Sequence, residues 1–291
     1  MLNYNAEYEK YLKFFNQQLN IALKSFNNIP EQLAESMTYA IVDGGKRVRP
    51  VLLFATAEML GLNLDEVKEF AIAIECIHSY SLVHDDLPSM DNDDYRRGKL
   101  STHKKFGEAF GILAGDGLLN FAFEYVLSKD DFSPLDAKAL KLLAEHAGVS
   151  GMIAGQVLDL SNEKNDNVSE EVLYKIYKNK TAKLLMCPLL IASIKSGNKY
   201  FDELMQLGLN IGYMFQISDD IMDAEQSSEH IGKTANKDQI QDKLTAIKVF
   251  GVDGAKERRE LHYNKCIDAL NKIENADFLV KFVKKLYERT K

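Results

Sequence analysis

Apolar side chains recur at helical spacing from the start of this chain. Between Tyr4 and Phe26 they fall at Tyr8, Tyr11, Leu12, Phe15, Leu19 and Leu23, one stripe of a helix. The same period predicts helices over residues 51–60, 67–87, 106–127, 137–147, 170–194, 201–222 and 256–273. Pro30, Pro50 and Pro134 stand where helices begin, a position that tolerates the missing amide donor. No segment sustains a two-residue alternation between hairpin turns, so the predicted fold class is all-α. Residues 67–87 and 205–222 are apolar on more than one face and read as central helices packed on most sides. Polar residues there require partners. The connections fall at 43–49, 88–101, 161–169 and 224–238.

With 291 residues, no repeat and no low-complexity linker, the chain is expected to form one large domain over residues 1–291. Its net charge of -7 leaves no basic footprint for nucleic acid, so a polyanionic ligand must be met by local cations or metal ions. Cys76, Cys187 and Cys266 form no CxxC pair and read as reduced thiols. Acidic residues interrupt the N-terminal segment where a signal peptide would be apolar, and the apolar run 184–194 is too short to span a bilayer and contains Pro188. A cytoplasmic protein without membrane insertion is the expectation.

The strongest chemical signal is Asp85, Asp86, Leu87, Pro88, Ser89, Met90, Asp91. Six residues advance a helix by about 600°, so Asp85 and Asp91 cannot share a helical face. Pro88 disfavours helical geometry before it, which lets the chain loop out and return Asp91 beside Asp85. Carboxylates gathered this way suit magnesium, which takes oxygen ligands, keeps waters and completes its shell with substrate phosphates. A second cluster follows the opposite logic. Gln216, Asp219, Asp220 and Asp223 fall at i, i+3, i+4 and i+7, on one face of an otherwise apolar helix. One acidic run alone would read as a solvated surface; two, each closing a strongly apolar helix, call for pairing or metal.

Cations accompany both clusters. Gly44, Gly45, Lys46, Arg47, Val48, Arg49, Pro50 places three charges in a flexible loop before a helix start, suited to phosphate oxygens. Arg96 and Arg97 follow the first cluster, Lys180 and Thr181 lie in an apolar helical stretch, and Lys233 follows the second cluster. His78 lies seven residues before Asp85, on the same helical face about 10 Å away. Taken singly, a lysine is usually solvated and a histidine in an apolar helix usually core.

Together these motifs (GGKRVRP, ECIHSYSLVHDDLPSMDNDDYRRG, GMIAGQVLDL, Lys180-Thr181, FQISDDIMD and GKTANKD) resemble, nearly end to end, the trans-prenyltransferases or isoprenyl diphosphate synthases, most of all the bacterial branch that makes the C15 farnesyl chain. The resemblance implies a single-domain bundle of mainly antiparallel helices around a deep central cavity, assembled as a homodimer. It implies magnesium, three ions in the ternary complex, with Asp85, Asp86 and Asp91 of the first cluster and Asp219, Asp220 and Asp223 of the second as the metal residues, Asp86 in support and Asp219 on the third ion. It assigns the allylic diphosphate to Arg96, Lys180, Thr181, Gln216 and Lys233, and isopentenyl diphosphate to Lys46, Arg49, His78 and Arg97. Asn92 stands where that family often has aspartate, and Ala246 where an aromatic is frequent.

Tyr80 and Ser81 precede Asp85 by five and four residues, about 6–8 Å deeper along the helix. In the resembling family an aromatic residue at the former position goes with C15 products, so Tyr80 is the expected floor of the chain-length cavity. The alternatives are a C20 geranylgeranyl synthase, a terpene cyclase, which needs no second diphosphate site, and a non-catalytic partner subunit, which need not keep both acidic clusters.

Overall fold

The computed structural model describes residues 3–42, 45–163, 169–229 and 244–289. Their regular secondary structure is helical apart from one hairpin with two residues per strand, as the apolar period predicts. The chain sorts into two compact units, Asn5–Leu140 and Met1–Tyr4 with Lys141–Lys291.

The first unit contains α1 (Tyr4–Ala22), a 3-10 segment Leu23–Asn28, α2 (Glu31–Val42), α3 (Val48–Met59) and α4 (Lys68–Asp85), then β1 (Tyr95–Arg96), β2 (Lys99–Leu100), α5 (Thr102–Phe106) and α6 (Glu108–Leu127). Helix α4 is its centre. Phe70 to Ile77 are buried without interruption, and α4 packs against α2, α3 and α6. Edge-to-face pairs Phe14–Phe54 and Phe26–Phe121 seat the first helical segments on α3 and α6. The expected helix over 106–127 is broken at Gly107, whose φ of 93° is open to glycine and strained for other residues. By length and composition α6 could cross a membrane; here it packs on α2, α4 and α5.

Helix α7 (Pro134–Ala147) runs across the boundary. The second unit then has α8 (Met152–Ser161), α9 (Glu170–Tyr177), a π-helical turn Lys178–Ala182, α10 (Lys183–Lys195), α11 (Phe201–Glu229), α12 (Ala246–Leu270) and α13 (Asp277–Tyr287). Helix α11 packs against α10 and α12, and buries Leu204, Leu207, Ile211, Met214, Ile217 and Ile221. It runs to Glu229, so the connection expected from residue 224 begins later than its polar composition indicates. Where one helix was expected over 170–194, the π-turn divides it in two.

Candidate functional site

The loop after α4 folds as Pro88 dictates. The Asp91 amide donates to the Asp85 carbonyl at 2.8 Å, the Asp93 amide to the Asp86 carbonyl at 3.1 Å, and the Asn92 amide to Leu87 at 3.1 Å. Asn92 takes a left-handed φ of 50°, which asparagine tolerates better than most residues. Asp85 and Asp91 are thus adjacent in the backbone, whereas Asp86 is only 2% exposed and paired with the Arg96 guanidinium through its Nε at 3.0 Å. Burial pushes the Asp86 carboxyl above its usual range, and Arg96 partly offsets that. Asp86 therefore holds Arg96 in place.

Arg96 pairs with Lys99 across the short hairpin, and its turn, Arg97-Gly98, has φ of 53° and 79°. Two positive φ values make a type I′ turn, whose twist suits a tight hairpin. The turn presents Arg97 to Gly45, where an added Cβ would meet the guanidinium carbon at 3.0 Å. The basic loop and the hairpin tip therefore meet closely at residue 45. Within that loop Lys46 is exposed, and its carbonyl accepts from the Tyr8 hydroxyl. Arg47 is turned inward, against the reading of all three charges as an anion cradle: it is 5% exposed and donates to Glu75 at 2.7 Å and to the Ile41 and Val42 carbonyls at 2.6 and 2.9 Å. Burial, then the positive field of Arg49, Arg97, Arg47 and Arg96, holds the His78 imidazole well below its ordinary pKa. His78 is neutral and keeps one N–H to donate. Tyr80 is 5% exposed, its ring edge-on to His84, and its buried hydroxyl has no hydrogen-bond partner among the described residues. The Ser81 hydroxyl donates back to the His78 carbonyl at 2.9 Å.

In the second unit, a cleft is lined by Asp159, Tyr177, Lys180, Thr181, Gln216 and Asp220. Lys180 and Thr181 sit on the π-turn, a backbone form that recurs at functional sites. Two glycines wedge that turn: a Cβ at Gly155 would meet the Lys180 amide nitrogen at 2.1 Å, and one at Gly212 would meet Ala182 Cβ at 2.2 Å. Lys180 pairs with Asp159 at 2.5 Å, and Thr181 donates to Gln216 Oε1 at 3.0 Å. Asp219 pairs with Arg289 near the C-terminus, and Asp223 is exposed. Gln216, Asp219, Asp220 and Asp223 all lie within α11, where Asp220 is only 5% exposed. Lys233, expected to join them, lies outside the described residues. Sequence spacing missed Tyr177 and Arg289. The first is signalled only by its place three residues before Lys180; nothing in the sequence signals the second.

Behind this cleft, Asn210 on α11 gives its amide N–H to Gln206, so its oxygen accepts from His262 Nδ1 at 2.8 Å, and His262 Nε2 accepts from the Tyr174 hydroxyl at 2.9 Å. The imidazole is neutral; burial, then Lys265 and Arg258, lowers its pKa to about 4. An unfolded histidine takes its proton near pH 6.5, so between pH 6.5 and about 4 acid favours the unfolded chain. His262 is expected to cost about 3 kcal/mol of stability across that window. Thermal unfolding against pH should show a weaker acid slope in His262→Gln than in the wild type; equal slopes would clear His262 of the effect.

Among the described residues no three carboxylate, histidine or cysteine side chains gather tightly enough to enclose a metal by themselves. Asp85 and Asp91, joined through the backbone, bring oxygen-only donors of the type suited to an ion that keeps waters and takes phosphate oxygens.

Comparison with known proteins bears on these features. The polyprenyl synthetase family model matches residues 30–283. The farnesyl diphosphate synthase of Micrococcus luteus is 38% identical over 284 residues, covering 97% of this chain and 96% of its own. The chloroplastic geranylgeranyl pyrophosphate synthase of Capsicum annuum is 44% identical over 232 residues, 78% of this chain and 63% of its own. A solved geranyltransferase from Helicobacter pylori, complexed with magnesium and isoprenyl diphosphate, is similar with TM-score 0.77 and 29% identity, covering 96% of each chain.

Proposed function

Because this chain belongs to the polyprenyl synthetase family and is a prenyl diphosphate synthase, a prenyltransferase of isoprenoid biosynthesis, we propose that it condenses isopentenyl diphosphate with C5 and C10 allylic diphosphates to give the C15 product. The observation that supports this reading is the convergence of arginines on His78: Arg49 and Arg97 lie close enough to lower its pKa, and Arg97 also packs against Gly45 of the basic loop. A cyclase has no use for such a second anion site.

Residues 1–291 act as one catalytic domain. Arg96, Lys180, Thr181, Gln216 and Lys233 hold the allylic diphosphate; Lys46, Arg49, His78 and Arg97 hold isopentenyl diphosphate. Asp85, Asp91 and Asp219 would hold magnesium, which would supply neutralisation of the charge that builds on the departing diphosphate. The allylic C–O bond breaks, and the bonding pair leaves with the diphosphate. The isopentenyl double bond attacks the resulting allylic cation, forming the new C–C bond, and a proton then passes to the released diphosphate. The protein's contribution is juxtaposition of the two chains and exclusion of water.

Tyr80 sets the length. It is buried about one and a half turns before Asp85, and its buried hydroxyl has no hydrogen-bond partner among the described residues, which supports a role as a floor. Incubation with isopentenyl and dimethylallyl diphosphates and magnesium, followed by dephosphorylation and chain-length analysis, is expected to give mainly C15 alcohol, and Tyr80→Ala mainly C20 or longer. The 44% identity to a geranylgeranyl synthase favours one second reading, a C20 product. Mainly C20 from the wild type would sink the floor; no condensation at all would sink the reading.

The protein acts in the cytoplasm as a homodimer. Three buried cysteines outside any disulfide fit a reducing compartment. Ile112 and Leu113 on α6, and Ile153, Val157 and Leu160 at i, i+4 and i+7 on α8, leave apolar surface exposed for a second copy to cover.

A further inference from the structure

The three aspartates of the second cluster are chemically alike but differently placed. Asp219 and Asp223 reach solvent, while Asp220 is buried and its carboxylate receives at least three donors. Gln216 Nε2 donates to its Oδ1 at 3.2 Å; the Tyr177 hydroxyl and the Ala246 amide, the latter at 2.6 Å, donate to its Oδ2.

Each donor belongs to a different piece of the cleft. Tyr177 is the last residue of α9, immediately before the π-turn that carries Lys180 and Thr181. Burial, then Asp220, raises its pKa well above the ordinary phenol value, so it stays protonated and donates. Gln216 passes the connection on to the Thr181 hydroxyl. Ala246 is the first residue of α12, whose opening amides have no intrahelical partner. Thr245 caps the Lys248 amide at 3.3 Å, and Asp220 takes the Ala246 amide while placing an anion at the positive end of the helix.

We propose that Asp220 is a positioning residue rather than a metal ligand: its carboxylate ties the end of α9, the π-turn and the start of α12 to α11, and so sets Lys180, Thr181 and Gln216 for the allylic diphosphate. The proposal rests on the function assigned above, and deepens it.

The two roles separate on amide substitution. An asparagine oxygen can still accept from Tyr177 and Ala246, its NH2 can face a turned-over Gln216 amide, and the Thr181 hydroxyl can accept instead of donate. A magnesium ligand enjoys no such substitute, because the ion demands a hard anionic oxygen. Asp220→Asn should therefore keep kcat within about tenfold of wild type at an unchanged half-saturating magnesium concentration, whereas Asp219→Asn should lose about 10³-fold. Asp220→Ala should lower the melting temperature of the metal-free protein by several degrees. Tyr177→Phe should raise KM for the allylic primer with a smaller change in kcat, in enzyme assayed well below its melting temperature. If Asp220→Ala does not fold, Asp220→Asn and Tyr177→Phe decide the matter. Equal losses for the two asparagine variants, with a silent Tyr177→Phe, would overturn the proposal. Failure of the wild type to condense would instead strike the assigned function, while the metal-free melting temperatures would still test the tie.

Discussion

Arg47→Met is expected to destabilise the protein by about 3–5 kcal/mol, with a fall in melting temperature on the order of 10 °C. The reason is what it leaves behind. Arg47 and Glu75 are both 4% exposed at the side chain, and their 2.7 Å contact is the ion pair that neutralises a carboxylate in the middle of the central helix α4. Without the guanidinium, Glu75 must be buried charged or take a proton, and the last carbonyls of α2 at Ile41 and Val42 lose a cation suited to a helix C-terminus. Adding Glu75→Leu to Arg47→Met should restore most of the loss, since a well-packed apolar pair can replace a buried ion pair. Denaturant unfolding of the two single variants and the double variant measures this directly. A single Arg47→Met change below 1 kcal/mol would mean the pair matters little.

The largest catalytic effect should come from Asp85→Asn, a fall in kcat of about 10³-fold with little change in the melting temperature of the metal-free protein. Asp85 is partly exposed at the end of α4 and shares its backbone turn with Asp91. Asp86, by contrast, is buried and paired with Arg96. Substitution at Asp86 should accordingly show the reverse balance, a loss of stability out of proportion to any change in magnesium dependence. Steady-state condensation assays beside thermal melts separate the two. Turnover of Asp85→Asn within about tenfold of wild type would remove it from the reacting centre.

Much of this architecture is legible in the residues because it is written in strong, local signals. The apolar period locates α4 and α11, and their multi-faced hydrophobicity marks them as central, since a helix apolar all round has nowhere else to go. The return of Asp91 to Asp85 follows from one proline. What stays hidden has no periodic signature. The hairpin has two residues per strand, and its turn is Arg97-Gly98 rather than the asparagine–glycine pair that announces a type I′ turn. Nothing along the chain separates Arg47, which points inward, from Lys46 and Arg49; only the distant Glu75 tells them apart. The same holds for Tyr177 and Arg289, whose partners Asp220 and Asp219 are far away in sequence. Pattern finds which residues are charged; tertiary pairing decides which of those charges are spent on the fold.

The π-turn at Lys178–Ala182 also fixes the chain's arithmetic. A π-helical turn accommodates one residue more than an α-helical turn, so the faces of α9 and α10 are out of phase by the angle of that extra residue. Deleting any one residue between Lys178 and Ala182 would let the segment rewind as continuous α-helix. It would then rotate either the α9 face that carries Tyr177 or the α10 run that is buried from Leu184 to Ile194. At this point the gene can vary its letters more freely than their number.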